Sequence, residues 1–545
     1  MGNNNRYFMK ITFSKIIWFL FYVFLFSLFL YNSFSYLDPD LGWHLRVGQE
    51  VWQEQAVPHI NHYNYSWEGV RWVDHEWLLD AFSFGVYDHF GYIALSFVFA
   101  LLVTLALAIW HRFIQTRMLK KSQGAFFFII FLLWGAFAMR PHVGVRMQEI
   151  TLLLLVFLLI IIYYYNKNKN IKPLLFLPPL FYFWTCVHGG FLIGFFILFF
   201  FIGVKLVELV VYKKFSWKFL DFKQVLSLKY IAIFALFSLI SLVATFFTPY
   251  GLELYSFLGG YTNTYYMTHI SEWLGQHYLP LHYWQLVYLS TSGAVLCLFL
   301  FFSFSGKNRD FKLDLWQVGL FAVFFLLAFK SRRHFPLFFL VSLPLMIYFL
   351  VKFFDIKRNI LEFKFSSVWL SRLIRGCLVL SLVAATTSVA LATRFTDKPF
   401  QSYCRSYPCG AVQFLKDNPR YDDKNIFNKY SWGGYLIWTY PERKIFVDGR
   451  LPQYEFGDHT ILEEYFDFFE QDKAQENLEE HDIGLVLLPV ESGPLQVDWF
   501  ERYFLGINPN ELENKDNHLR EYLQGKASWK QIYKDEVGLI YFKTH

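Results

Sequence analysis

Apolar residues are gathered along this chain in long blocks, and short polar segments separate the blocks. The blocks are about 17–23 residues long, the length that a helix needs to cross a bilayer. The first block has no small-residue cleavage site after it, so we expect it to be retained. Two adjacent prolines, Pro178 and Pro179, predict that the fifth block forms a broken or tilted helix. The pattern predicts about eleven spans, at residues 14–36, 92–111, 124–139, 148–165, 173–187, 191–211, 229–247, 284–303, 314–330, 335–352 and 374–393.

The polar segments differ in charge, and this difference orients the predicted helices. Every second segment is rich in Lys and Arg, as cytoplasmic loops are. This alternation predicts a cytoplasmic N terminus and leaves three longer segments outside, at residues 37–91, 248–283 and 394–545. The basic segments are residues 6–15, 111–121, 166–172, 212–229, 305–314 and 352–375.

The pattern changes after residue 393, where polar and turn-forming residues become frequent. The stretches "NIFN", "YLIWTYP", "KIFVDGR" and "IGLVLLPV" have strand character. The stretches "HTILEEYFDFFEQD" and "DKAQENLEEHD" have helical periodicity. We therefore expect an all-α polytopic transmembrane bundle at 1–393 and an extracytoplasmic α/β domain at 394–545. In an oxidising compartment, Cys404 and Cys409 are a plausible short-loop disulfide.

Composition supports the membrane assignment. The chain is 55% hydrophobic, 22% aromatic and only 17% charged, whereas soluble proteins carry about 25% charged residues. The net charge of +6 comes from Lys and Arg in the short loops. It therefore reflects topology, and we expect no nucleic-acid partner.

The first external loop, residues 37–91, contains two groups of acids. Asp38 and Asp40 follow the first span in "LDPDLGWH", and Asp74 and Glu76 lie in "WVDHEW". A carboxylate beside the membrane can act as general base, and two can hold Mg²⁺ or Mn²⁺ next to a phosphate. In the alternative, Asp38 caps a helix on the membrane surface, with Pro39 as its first residue. The second group can likewise be the capped start of a helix.

Several cations lie on the external side, against the expected charge bias: Arg140, Arg332, Arg333 and His334. Such residues are candidates for binding the phosphate of a substrate, because arginine binds phosphate with two parallel hydrogen bonds. The alternative is that they reach from helix ends to lipid headgroups. His188, in "CVHGGF", is equally consistent with packing and with a site.

An external D-x-D after the first span, on a multi-span protein with an extracytoplasmic C-terminal domain, resembles the GT-C glycosyltransferase superfamily. The resemblance implies a polyprenyl-phosphate-linked sugar donor and a catalytic acid at Asp38 or Asp40. It also assigns Asp74 and Glu76 to an assisting segment. Among GT-C-like proteins, the chain resembles most a family of bacterial membrane proteins, through "DPDLGWH", "WVDHEW", "HGGF", "TPYG", "SEW", "RHFP", "WGGYLIW" and "FVDGR". This implies a bacterial inner-membrane location.

The tail segment 428–450 resembles the W-W-D-Y-G region of oligosaccharyltransferase catalytic subunits, which helps to hold the acceptor. Trp432 and Tyr435 match that motif in type, and Gly433 stands where the motif has Asp. The resemblance implies that Trp432 and Tyr435, with His44, His75 and His188, contact donor or acceptor. In the alternative, this segment is a glycine-rich strand and turn that packs the tail onto the membrane domain.

These observations predict a membrane enzyme that transfers a sugar from a polyprenyl-phosphate donor to a glycan, lipid or protein acceptor outside the cell. Membrane lipids surround it. Two other functions remain open from the sequence. A transporter of lipid-linked glycans would carry charges at mid-membrane. A non-catalytic membrane scaffold would tolerate loss of the early acids.

Overall fold

The computed structural model describes most of the chain. It covers residues 2–119, 125–215, 217, 219–222, 224–259, 265–305, 311–358, 376, 379–380, 383, 387, 403–450, 455–456, 459–470, 473–490, 497–508 and 516–544. The last predicted span, 374–393, therefore lies outside the described residues apart from a few isolated positions.

Helices account for most of the described part before residue 359. They are α1 (Gly2–Ser35), α2 (Leu41–Glu54), α3 (Trp77–Phe113), α4 (Ala125–Ala138), α5 (Ile150–Asn168), α6 (Leu177–Val187), α7 (Phe191–Lys214), α8 (Leu228–Thr245), α9 (Glu253–Gly259), α10 (Tyr266–His269), α11 (Tyr283–Phe304), α12 (Leu315–Lys330) and α13 (Phe335–Arg358). Gly91 interrupts α3, since its φ of 77° lies outside the helical region.

Within the described residues, six helical segments are long and apolar enough to cross a membrane, judged by length and composition. Shorter apolar helices lie at Trp18–Phe34, Ala125–Ala138 and Leu315–Lys330. The proline pair acts as predicted, because α6 begins beside it and has only 11 residues. The six long segments are Trp77–Met118, Met147–Asn168, Phe191–Lys214, Leu228–Thr245, Tyr283–Phe304 and Arg332–Phe354.

The chain divides into two compact units. The first, here called the bundle unit, consists of Met1–Ser35, Ser96–Thr245 and His282–Asp397. The second, the loop–tail unit, consists of Tyr36–Leu95, Phe246–Leu281 and Lys398–His545. The early acids and the tail motifs thus belong to one unit, although some 400 residues separate them in the chain.

The bundle unit is held together by aromatic packing. Tyr288 of α11 is fully buried, and the ring of Phe335 packs edge-on against it at 5.5 Å. Its hydroxyl lies 3.1 Å from Ser342 Oγ, which gives this buried polar group a partner. On α7, the buried Lys205 Nζ donates to Glu208 Oε2 at 2.8 Å.

The tail part of the loop–tail unit is built on a four-stranded sheet with the order β1-β4-β6-β5. Strands β1 (Asn425–Asn428) and β4 (Ile483–Pro489) are parallel, whereas β5 (Trp529–Lys534) and β6 (Gly538–Lys543) pair antiparallel. β4 also pairs antiparallel with β6, and all its side chains are buried. The two-residue strands β2 (Glu455–Phe456) and β3 (His459–Thr460) form a separate pair. The helices of the tail are α14 (Cys409–Lys416), α15 (Gly433–Thr439), α16 (Ile461–Asp467), α17 (Ala474–Glu480), α18 (Trp499–Tyr503) and α19 (Asp516–Gly525).

The tail departs from the sequence prediction in two segments. "NIFN" and "IGLVLLPV" form strands, and the two predicted helices are present as α16 and α17. The prediction of a strand at "YLIWTYP" was wrong, since Gly433–Thr439 is helical. In "KIFVDGR", only Ile445 forms an isolated bridge, to Asn64 of the first loop. Residues Cys404 and Cys409 are joined by a disulfide, as expected.

Candidate functional site

The two early acids lie at the start of α2 and have different partners. Asp38 Oδ1 accepts a hydrogen bond from the backbone N–H of Asp40 at 2.9 Å. Asp40 occupies the N-cap position, yet its side chain makes no capping hydrogen bond. The helix begins at Leu41, so the alternative of an Asp38 cap with Pro39 as first helical residue is wrong. The Asp40 carboxylate is therefore not used to satisfy the helix end.

The surroundings of Asp40 raise the pKa of its carboxyl group above the value it has in water. Burial raises the pKa of Asp40 to about 6, and the Asp38 carboxylate adds to the increase, while His44 opposes it. The residue remains about half-buried and does not lose all contact with solvent. A carboxylate with a pKa near neutrality is well matched to accept a proton in a reaction.

His44 connects the two groups of acids that the sequence singles out. It is buried, with Nδ1 at 2.7 Å from Asp80 Oδ1 and Nε2 at 3.6 Å from Glu76 Oε2. The stretches "DPDLGWH" and "WVDHEWLLD" thus converge on one imidazole. Asp80 was missed at the sequence level, although it follows Glu76 by four residues and so shares its helix face.

Asp74 lies deeper than the other predicted acids. Its Oδ1 accepts the backbone N–H of Glu76 at 3.0 Å, which shapes the turn before α3. Burial and the neighbouring Asp80 carboxylate raise the pKa of Asp74 well above its usual range. The surroundings of Asp74 thus disfavour its charged form. His75, more exposed, has Nε2 at 3.7 Å from Glu76 Oε1.

Glycines of the tail pack directly against the start of α2. A Cβ atom built on Gly434 would lie 2.3 Å from the carbonyl oxygen of Pro39. A Cβ atom on Gly449 would lie 2.0 Å from Asp40 Oδ1, and one on Gly42 would lie 2.1 Å from the carbonyl oxygen of Gly434. The "WGGY" and "VDGR" motifs therefore meet "DPDLG" at distances that only glycine permits.

A buried arginine fixes this tail segment to the first loop. Arg450 donates from Nε to Asp448 Oδ1 and from Nη2 to Asp448 Oδ2, both at 2.8 Å. Its Nη2 also contacts Asn61 Oδ1 at 2.9 Å and Asn64 Oδ1 at 2.6 Å. The guanidinium lies 4.5 Å from the ring centre of Tyr63, within reach of a cation–π interaction. Arg450 therefore bonds to the first loop as well as to Asp448.

Trp432 and Tyr435, the predicted substrate contacts of the tail, are both buried. Trp432 Nε1 donates to the carbonyl oxygen of Ser406 at 3.0 Å, and the Tyr435 hydroxyl donates to Cys409 Sγ at 3.0 Å. The structure thus gives both side chains hydrogen-bond partners within the tail.

The bundle unit brings several of the predicted cations into structured turns at helix ends. Arg140 follows α4 directly, and its Nε donates to Asn32 Oδ1 at 3.2 Å. Arg332, Arg333 and His334 form one 3-10 turn between α12 and α13. The buried Arg332 acts on His282, where burial and this cation lower the pKa to about 4.

His188 lies at another helix end of the bundle unit, between α6 and α7. Its Nδ1 accepts the backbone N–H of Gly190 at 2.8 Å and lies 2.8 Å from Thr151 Oγ1. A Cβ atom on Gly190 would lie 2.4 Å from Thr151 Oγ1. These contacts give His188 a role in shaping the "HGGF" turn.

Within the part of the chain that the structure describes, no group of three or more His, Cys, Asp or Glu side chains is placed to hold a metal ion. The pair Asp38 and Asp40 supplies two carboxylates.

No family model matches the chain, and no curated protein matches it. Among solved structures, the chain is similar to the archaeal oligosaccharyltransferase AglB from Archaeoglobus fulgidus, solved in complex with an inhibitory peptide and a dolichol-phosphate. The match has a TM-score of 0.49 and 11% identity, and it covers 96% of this chain and 74% of that chain. At this level of similarity we argue function from the residues of this chain alone.

Proposed function

We propose that the protein is an integral-membrane glycosyltransferase that moves a sugar from a polyprenyl-phosphate-linked donor to an acceptor on the extracytoplasmic face. The observation that carries the proposal is Asp40. Its carboxylate lies at a helix start without capping it and has a pKa of about 6. Six long apolar helical segments among the described residues support the membrane setting.

In the proposed reaction, Asp40 accepts the proton of the acceptor hydroxyl. The acceptor oxygen forms a bond to the anomeric carbon while the bond from that carbon to the phosphate oxygen breaks. The polyprenyl phosphate leaves with the bonding electrons. Asp38 positions Asp40 through the 2.9 Å hydrogen bond to its backbone N–H. His44 lies between Asp80 and Glu76. Its interaction with Asp40 lowers the pKa of that carboxyl group and so favours the charged form.

We assign the donor phosphate to basic residues of the bundle unit: Arg140, Arg332, Arg333 and His334. Guanidinium groups bind phosphate oxygens through paired hydrogen bonds and stabilise the charge on the leaving group. Asn32 orients Arg140 at 3.2 Å. We expect Arg332→Gln to weaken donor binding more than Lys167→Gln. Lys167 is an exposed residue in the last turn of α5 and is not among the residues assigned to the phosphate.

A divalent cation is compatible with the two early acids. Mg²⁺ is often bound by one or two carboxylates, with substrate phosphate and water as the other ligands. In that alternative, Asp38 and Asp40 would be its ligands in place of the role of Asp40 as base, and the ion would neutralise charge on the departing phosphate.

We propose that the protein lies in a bacterial inner membrane and that its tail lies outside the cytoplasm. The Cys404–Cys409 disulfide is of a kind that persists in oxidising compartments. The alternation of basic loops independently supports the same orientation.

The test is donor consumption by purified protein in detergent. Wild type, Asp40→Asn and the control Asp423→Asn, whose side chain is exposed, are each incubated with a panel of radiolabelled polyprenyl-phosphate sugars. The assay is run with and without added Mg²⁺ or Mn²⁺. We expect wild type and Asp423→Asn to consume one donor and Asp40→Asn to retain only a small residual activity. Equal consumption by all three would remove Asp40 from the mechanism, and no consumption by folded wild type would favour a scaffold.

A further inference from the structure

The carboxylate of Asp40 is in direct contact with the backbone of the tail at Gly449. A Cβ atom at position 449 would lie 2.0 Å from Asp40 Oδ1 and 2.9 Å from its Cγ. Real Cβ contacts are not this short, so any side chain at 449 would have to displace its neighbour. The absence of a side chain at Gly449 therefore makes room for the carboxylate in its present position.

The backbone around Gly449 is anchored on both sides. Asn428 Nδ2 donates to the carbonyl oxygen of Val447 at 2.9 Å, and Asn428 Oδ1 accepts the N–H of Phe446 at 2.9 Å. On the other side, Asp448 Oδ1 accepts the N–H of Arg450 at 2.9 Å. With both flanks fixed, the tail backbone does not retreat, and it is the Asp40 side chain that has to move.

We propose that Gly449 is a positioning residue, through which the tail fixes the direction in which the Asp40 carboxylate points. This inference rests on the proposed role of Asp40 as base. The tail then has a part in the reaction, because Gly449 of its "VDGR" motif sets the direction of the Asp40 carboxylate, which belongs to the first loop.

Gly449 differs from Gly434 and Gly42, the other two glycines between the tail and α2, in the atoms that an added Cβ atom would contact. At Gly434 and Gly42, a Cβ atom would meet the backbone oxygens of Pro39 and Gly434, which do not move without unpacking α2. At Gly449, the obstacle is the end of a side chain, which rotates away. Gly449→Ala therefore moves the carboxylate and leaves the packing of α2 in place.

The charged groups that act on the Asp40 carboxylate are Asp38 and His44 on its own segment and Glu272 from the 246–281 segment. Moving the carboxylate changes its distance from each of these groups. A positional change therefore alters the pH at which Asp40 loses its proton, whereas a loss of active protein alone does not.

The experiment measures kcat, donor KM and the pH profile for wild type, Gly449→Ala and the control Gly525→Ala, whose Cβ atom would meet open space. We expect Gly449→Ala to lower kcat about 100-fold, as a displacement of roughly 1 Å does at a reacting group. Donor KM stays unchanged, and the midpoint of the acid limb shifts. Gly525→Ala behaves as wild type.

The same substitution is then made in the Asp40→Asn background. If Gly449 acts through Asp40, Gly449→Ala causes no further loss of residual activity there. Wild-type kcat and pH profile in Gly449→Ala would overturn the inference, as would an equal loss in both backgrounds, which indicates a purely structural role. A wild type without donor consumption would instead overturn the proposed function itself.

Discussion

Replacement of Arg450 is expected to destabilise the loop–tail unit more than any exchange of an exposed cation. The guanidinium is fully buried and makes its bonds to Asp448, Asn61 and Asn64 inside the unit. Arg450→Ala leaves the Asp448 carboxylate buried without its cation. Breaking a buried pair in this way costs about 3–5 kcal/mol of the free energy of unfolding.

Lys444 provides a matched control on the same tail segment. It also pairs with an acid of the first loop, Glu68, but both side chains are about half-exposed. An exposed pair contributes about 0–1 kcal/mol. Lys444→Ala therefore removes a contact between the same two segments at small cost.

The assay is the apparent melting temperature of the purified protein in detergent. For a unit of roughly 250 residues, 1 kcal/mol shifts the melting temperature by about 2–4 °C. We expect a decrease of roughly 6–20 °C for Arg450→Ala and at most about 4 °C for Lys444→Ala. Equal shifts would refute the reasoning. Arg450→Met combined with Asp448→Leu should recover part of the loss, because it removes the stranded charge.

Two further predictions test separate parts of the structure. Maleimide should label Cys404 and Cys409 only after reduction, and labelling of either residue without reductant would contradict the disulfide. Cys404→Ser should lower the free energy of unfolding by about 2 kcal/mol. Lys205→Met should destabilise the bundle unit by about 3–5 kcal/mol by stranding Glu208, and adding Glu208→Leu should restore most of the melting temperature; no recovery would show that the pair is not the cause.

The sequence predicted elements well wherever local periodicity decides the structure. Leu41, Leu45, Gly48 and Trp52 recur at helical spacing, and α2 covers all four. The fifth predicted span is broken as expected, into a 3-10 turn at Lys172–Phe176 and α6, whose first turn holds the proline pair. Buried strand β4 was visible as a continuous apolar run.

Prediction was wrong where tertiary packing overrides local preference. "YLIWTYP" is rich in aromatic and β-branched residues, which favour strands. The segment is nevertheless helical, and Gly434 at its start packs against Pro39. That close approach depends on residues nearly 400 positions apart, which spacing along the chain does not reveal.

The candidate site was predicted in part. The acids of the first loop were identified, and His44 joins them. Asp80 was overlooked because it lies in an apolar stretch that resembles the start of a span. The contacts of Arg450 with Asn61, 389 residues away, have no signal in a single sequence.

The central claim, that Asp40 is the base, is tested most directly by the pH dependence of sugar transfer. A base with a raised pKa is active when deprotonated, so activity is complete above that pKa and is lost as the pH falls through it. For Asp40 this predicts a rise through pH of about 6 and a plateau above it, when kcat is measured between about pH 5 and 8. Asp40→Asn should show little activity across the range. A wild-type profile without this rise, or an Asp40→Asn variant with the wild-type rate and profile, would contradict the account.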